Sequence, residues 1–301
     1  MKKKTYLFAL MAMALTLGSC SDNENGIGGE TSKYITVSTS IGNMTRVATD
    51  EKGGQTFEEG DEISVYAWTG APTVAPETSE RVVNNAINKL TNGSWVATPQ
   101  MLWKNNRDKH YFIGVYPVSA ISDLSAGEYT FDETKQVESD LLVAVNKDGL
   151  SYNVDEQQPV PLTFTHVMAK LVVNLTYKNQ WGTEGPTVDK VVVGNAAKKA
   201  TINYLTKVVT PSTTAKEDFS LPEITENTKY VSVIIPQEDV KQLTIVIDGK
   251  NFVYDNGTPF KLESGKITTV NLEVGRDEIK LGDVKITDWE NGSTFSGEAL
   301  N

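Results

Sequence analysis

From Tyr34 onward the chain is built of short runs in which apolar residues recur at every second position and turn residues end each run. Ile63-Ser64-Val65-Tyr66-Ala67, Leu171 to Tyr177, Tyr230 to Ile235 and Thr269 to Val274 are the clearest. Side chains alternate across a strand, so each such run offers one apolar face to a core, and a chain made of them folds into sheets. The turn chemistry agrees. Asn92-Gly93 lies between Leu90 and Trp95, and Asp248-Gly249 lies between Ile245-Val246-Ile247 and Phe252-Val253-Tyr254. Both dipeptides readily adopt the positive φ of a type I′ turn, so two hairpins are expected there. One segment competes: Val82, Val83, Ala86, Ile87 and Leu90 are also spaced for a helical face, against three Asn and the adjacent Asn-Gly turn.

The expected class is therefore all-β. The stretch Val154 to Pro161 is polar and contains two prolines, which cannot easily sit in a central strand. It divides the body into halves of similar size, read here as two tandem β-sandwiches over residues 34–158 and 159–301.

Chemistry is scarce. One Cys excludes an internal disulfide and a Cys-rich zinc site, and two His leave little for a metal centre or a His-based relay. The balance of 28 basic against 39 acidic residues, a formal charge of −11, argues against a nucleic-acid partner, which needs a basic surface. No catalytic residue, cofactor or metal site is expected, and no enzyme. His166, in an alternating apolar segment, reads as a core or edge histidine, and His110 as a strand residue on a half-exposed face. Trp68, Trp95, Trp103, Trp181 and Trp289 are scattered and read as core or core-rim residues. Gly60-Asp61 reads as a tight turn, and its neighbours Glu58, Glu59 and Glu62 lack the spacing of a calcium loop.

The N-terminus carries an address. Lys2 to Lys4 precede an apolar stretch, Tyr6 to Leu17, too short to span a bilayer as a stable helix, so residues 1–19 read as an export signal. It ends in Leu17-Gly18-Ser19-Cys20, which resembles the bacterial lipobox, and the one cysteine stands where a lipid would be attached. Two or three acyl chains hold a protein at a membrane without a spanning helix, at about 0.8 kcal/mol per buried CH₂. Residues 20–33 are polar, acidic and Gly-rich and read as a flexible tether.

Four stretches along the chain resemble the fimbrillin family, the major- and minor-fimbrium subunits and related lipoproteins of anaerobic Gram-negative bacteria. They are Thr45-Arg46 with Phe57 to Tyr66; Leu102-Trp103 with His110-Tyr111-Phe112 and Val115-Tyr116-Pro117; Asp140 to Ala144 with Leu162 to Leu171; and Ile286-Thr287-Asp288-Trp289 with Gly292 and Gly297. The resemblance implies two transthyretin-like β-sandwiches and a subunit, accessory or anchor component of a cell-surface fimbrium (pilus), exported to the outer membrane as a lipoprotein. The acidic stretch after Cys20 is similar to a surface-export signal of such bacteria. In fimbrial members an arginine-specific protease cuts after an Arg at the end of the first strand, and the match falls on Arg46, with Val47 as the new N-terminus. The implied partners are other fimbrial subunits, joined by β-strand addition, the outer membrane through a lipid on Cys20, and a host or bacterial surface ligand for adhesion. The alternative is a surface glycan-binding lipoprotein of a nutrient-uptake system, which would be favoured by two or three of the tryptophans lying coplanar on one exposed face.

Overall fold

The computed structural model of the chain describes residues 34–42, 56–152, 158–182, 185–255 and 257–289. Their regular secondary structure is almost entirely strand, as the alternating runs require. The first half contributes β1 (Val37–Ile41), β2 (Glu62–Thr69), β3 (Val83–Thr91), β4 (Ser94–Thr98), β5 (His110–Tyr116), β6 (Gly127–Thr130) and β7 (Leu142–Leu150), and the second opens with β8 (Val160–His166). It continues with β9 (Ala169–Tyr177), β10 (Val188–Ala197), β11 (Lys199–Asn203), β12 (Val208–Pro211), β13 (Lys216–Leu221), β14 (Glu223–Thr225), β15 (Lys229–Ile234), β16 (Gln242–Ile247), β17 (Lys250–Asp255), β18 (Lys266–Val274) and β19 (Ile279–Asp288).

Four sheets result. A seven-stranded sheet has the order β1-β8-β7-β5-β2-β3-β4, and a five-stranded sheet the order β14-β15-β9-β18-β19. A four-stranded sheet, β13-β10-β16-β17, and a three-stranded sheet, β12-β11-β6, complete the set. Strand β8 begins inside the polar stretch, at Val160, so against expectation Pro161 stands in an interior strand; it is tolerated because only β1 pairs there, β7 joining β8 from Phe164 on, and β6 of the first half pairs with β11 of the second.

The middle of the seven-stranded sheet is buried on both faces, so β2 and β5 are buried almost end to end rather than at alternate positions. Ile63, Val65 and Ala67 of β2 face a core with Phe112, Ala144, Leu162 and Phe164. Tyr66 and Trp68 face the opposite way, into a larger core that runs through Ile113 and Val143 to Leu171, Ile245 and Val270. One apolar core thus contains residues of both halves. Close approach of backbone and ring is built in at Gly114 of β5, where a Cβ would lie 2.6 Å from Phe164 Cζ.

Both expected hairpins are present: Asn92-Gly93, at φ 51° and 74°, joins β3 to β4, and Asp248-Gly249, at φ 51° and 71°, joins β16 to β17. The helix-like spacing at Val82–Leu90 belongs instead to strand β3. Asn85 takes a φ of 55°, and the β2–β3 register shifts there, Val65 facing Ala86 but Ala67 facing Val83. The extra residue of this bulge moves the inward face from Val83 to Ala86, producing an interval of three that imitates a helix turn.

Candidate functional site

The site is the free edge of the seven-stranded sheet at β1, the first described strand. Alternation makes it: Ile35, Val37 and Ile41 are buried at 1%, 5% and 6% exposure, while Ser38 and Ser40 face outward. It pairs in parallel with β8, Val37 opposite Val160 and Ile41 opposite Phe164. At the ends Val160 N–H donates to Thr36 O at 2.8 Å and Gly42 N–H to Phe164 O at 2.7 Å. Ahead of the strand, Ile35 N–H donates to Met101 O at 3.0 Å, and Tyr34 bridges Leu102. The first strand expected at 34–41 is therefore present, with its regular pairing confined to Val37–Ile41.

The other edge of β1 borders a cleft of about 560 Å³ whose far wall carries Leu90, Ser94 and Trp95 at the β3–β4 hairpin. Phe57 fills its base. The ring meets Trp95 at 5.2 Å, Tyr116 at 5.4 Å and Phe164 at 5.1 Å, all edge to face, the geometry aromatic quadrupoles favour. Trp95 Nε1 donates to Thr39 Oγ1 at 3.0 Å across the cleft. Burial, and then the Asp61 carboxylate, push the Tyr116 phenol up to about 12, so it stays neutral and donates weakly to Asp61 Oδ1 at 3.4 Å. Nothing here is nucleophilic or poised for proton transfer. The arrangement holds a strand by its ladder on one side and by apolar and aromatic packing on the other.

Arg46 and Val47 lie outside the described residues, in 43–55, and both chain ends bounding that segment, Gly42 and Thr56, are at β1 or its cleft. Cys20 also lies outside the described residues, as do Gly292 and Gly297. Gly60-Asp61 is the expected tight turn: Gly60 has φ 97°, and Asp61 Oδ2 accepts the Glu58 N–H at 2.7 Å.

His110 departs from expectation, being fully buried rather than half-exposed. Its Nε2 accepts the Lys104 N–H at 3.1 Å and its Nδ1 lies 3.0 Å from the Asp108 carbonyl, so both nitrogens are satisfied away from water, and burial pushes its pKa down. His166 is a packing residue, as read, but has a partner 26 positions away: its Nδ1 lies 2.8 Å from Asp140 Oδ1. Its ring stacks on Trp289 at 4.0 Å and 5°. Among the described residues, no three His, Cys, Asp or Glu side chains are placed to hold a metal, and no helix is long and apolar enough to cross a membrane. All five tryptophans are buried or half-buried, each in its own packing environment, so the coplanar exposed face that would favour the glycan-binding reading does not form.

Sequence reasoning passed over Phe57, Trp95 and Thr39 as parts of a site. Their only signal was alternation in Ser94-Trp95-Val96 and an aromatic just ahead of an acidic turn.

A family model described as fimbrillin-like matches residues 45–289. No curated protein matches the chain. Among solved structures, a candidate cell adhesion protein of Bacteroides uniformis is similar with a TM-score of 0.65 at 18% identity, covering 85% of this chain and 98% of its own. A second candidate cell adhesion protein, from Bacteroides ovatus, has a TM-score of 0.63 at 16% identity, covering 86% and 99%. The tip fimbrial protein Mfa3 of Porphyromonas gingivalis, truncated at its C-terminus, has a TM-score of 0.51 at 12% identity, covering 81% and 97%. At these identities the likeness is one of fold.

Proposed function

The chain belongs to the fimbrillin-like family, and from that premise we propose that it is a structural or accessory component of a cell-surface fimbrium that supports adhesion. In this reading it is exported to the outer membrane as a lipoprotein on Cys20. Cleavage between Arg46 and Val47 then releases lipid and β1 together, and a strand from a neighbouring subunit takes the place of β1. The neighbours of similar fold described as fimbrial or as candidate adhesion proteins support the same role.

One observation carries the reading: β1 is an edge strand whose ladder is made with β8 alone, yet the strand and the residues just ahead of it bury three large aliphatic side chains, Ile35, Val37 and Ile41. Full burial of each contributes about 1.5–3 kcal/mol, an upper estimate. Losing β1 would expose Phe164, Leu162 and Phe57 together with the unpaired backbone of β8. Such an edge is sticky, and a donor with apolar residues at matching alternate positions restores both hydrogen bonds and burial.

The experiment is to treat the purified precursor with an arginine-specific protease and analyse it by electrophoresis without boiling. The expected product begins at Val47 and forms a ladder of oligomers. A chain cleanly cut after Arg46 that stays monomeric in every subunit mixture would overturn strand exchange. N-terminal sequencing of the cell-surface form checks the processing itself, since an anchor would keep its lipid on Cys20 and remain uncut.

A further inference from the structure

A second cleft, of about 1020 Å³, opens where the seven-stranded sheet meets the three-stranded sheet. Its walls are the turn before β2, the segment following β5, strand β6 and Tyr204 just past β11. Four carboxylates line it, Asp61, Glu62, Glu128 and Glu138, and no Lys or Arg does. Glu62 is held by Lys89 at 3.1 Å and Glu138 by Lys135 at 3.3 Å. Asp61 and Glu128 have no cationic partner among the described residues.

Tyr204 supplies an independent observation. It is 2% exposed, and its ring occupies space left by Gly127, where a Cβ would lie 2.5 Å from Tyr204 Cε2. Its hydroxyl hydrogen-bonds no other group among the described residues and keeps access to solvent. The cleft that Tyr204 lines is where a partner can reach it. Tyr116 and Tyr129 line the same space.

The chemistry selects the ligand. Carboxylates and main-chain carbonyls only accept hydrogen bonds, and aromatic faces attract positive charge. An anion is repelled, and a cation meets two carboxylates, Asp61 and Glu128, that no Lys or Arg neutralises among the described residues. We propose that this cleft binds a guanidinium or ammonium group, the Arg or Lys side chain of an extended basic segment on a partner protein. Charge complementarity on a chain of net charge −11 favours the same class of partner. The proposal is independent of strand exchange at β1, since no residue of β1 lines the cleft.

The test titrates the full chain with acetyl-Gly-Arg-Gly-amide and with its neutral citrulline isostere, by calorimetry. Saturable binding of the arginine peptide alone is expected. Glu128→Gln weakens it about fivefold, the scale of one partly exposed charge pair. Glu263→Gln, outside the cleft, leaves it unchanged. Tyr204→Phe weakens binding while leaving the melting temperature within a degree or so, since only an unpaired hydroxyl is lost. Absence of saturable binding, equal binding of the citrulline peptide, or equal weakening by Glu128→Gln and Glu263→Gln would each overturn the proposal.

Discussion

The indole Nε1 of Trp95 donates to Thr39 Oγ1 at 3.0 Å, joining β4 and β1, the two edge strands of the seven-stranded sheet. Strand β1 is thus fastened on one side by its ladder with β8 and on the other by a single side-chain bond across the cleft. Trp95→Phe keeps an aromatic ring against Phe57 and removes the bond, at about 1 kcal/mol. Hydrogen exchange of the β1 amides is expected to speed up roughly fivefold, with exchange in β9 and β18 unchanged. Equal acceleration in all three strands would show that the bond supports the whole fold and is not a fastening of β1.

Gly114 of β5 is predicted to be hard to replace, although its φ is not positive. A Cβ there meets Phe164 Cζ at 2.6 Å and Leu162 Cδ1 at 3.1 Å, both on β8. Neither ring nor leucine has room to retreat, because Phe164 is fully buried against Phe57. Gly114→Ala should cost about 1–3 kcal/mol in chemical denaturation, the range for overpacking. Adding Phe164→Leu should recover part of that loss, a coupling that two independent sites would not show.

Alkali should destabilise the fold through its tyrosines. Burial and then the Asp61 carboxylate push Tyr116 up to about 12, and burial and then Glu223 do the same for Tyr177. Burial also raises Tyr129, Tyr204 and Tyr230. Each phenol stays protonated in the fold at a pH where the unfolded chain, with tyrosines near 10, has released its proton. Their contribution is therefore complete below about pH 10 and is lost as the pH rises toward 12. Urea midpoints measured from pH 8 to 12 should stay level and then fall, and Tyr116→Phe should make the fall shallower. A midpoint that rises through this window would contradict the assignment.

The parts of this architecture readable from sequence are those decided locally. Asn92-Gly93 and Asp248-Gly249 announce their hairpins because two adjacent residues supply the required φ, and the alternation of Ile35, Val37 and Ile41 announces β1. Three features depend on distant partners. The parallel β1–β8 pairing brings Ser40 against Thr163, 123 residues away, and no periodicity encodes that choice. The bulge at Asn85 turns on one dihedral and hid a strand behind helical spacing. His110 looked half-exposed beside Lys109, but the Lys104 amide and Asp108 carbonyl satisfy its ring and allow it inside. Cleft residues such as Glu128 and Tyr204 carry no motif, because β6 and β11 bring them together only through pairing between the two halves.

The final prediction concerns what holds the end of the last described strand. On the core-facing side of β19, Leu281, Val284 and Ile286 remain 37%, 37% and 40% exposed, so burial holds the strand weakly. Trp289, just past it, is 8% exposed and lies flat on His166, with Lys170 Nζ 5.3 Å from its ring centre. Its N–H donates to Gly265 O at 2.8 Å, and the Gly265 N–H donates to Met168 O at 2.8 Å, tying the strand end to the β8–β9 corner. Trp289→Ala removes a large buried side chain, a loss of about 3–5 kcal/mol for this class of change. If the indole acts through the stack, Trp289→Ala and His166→Ala should be non-additive by about 0.5–1.5 kcal/mol. Exchange should then rise first in β19, whose ladder depends on that anchor, while β9 and β15 keep their protection. Strict additivity, with β19 still protected in Trp289→Ala, would mean that the β18 ladder alone secures the strand.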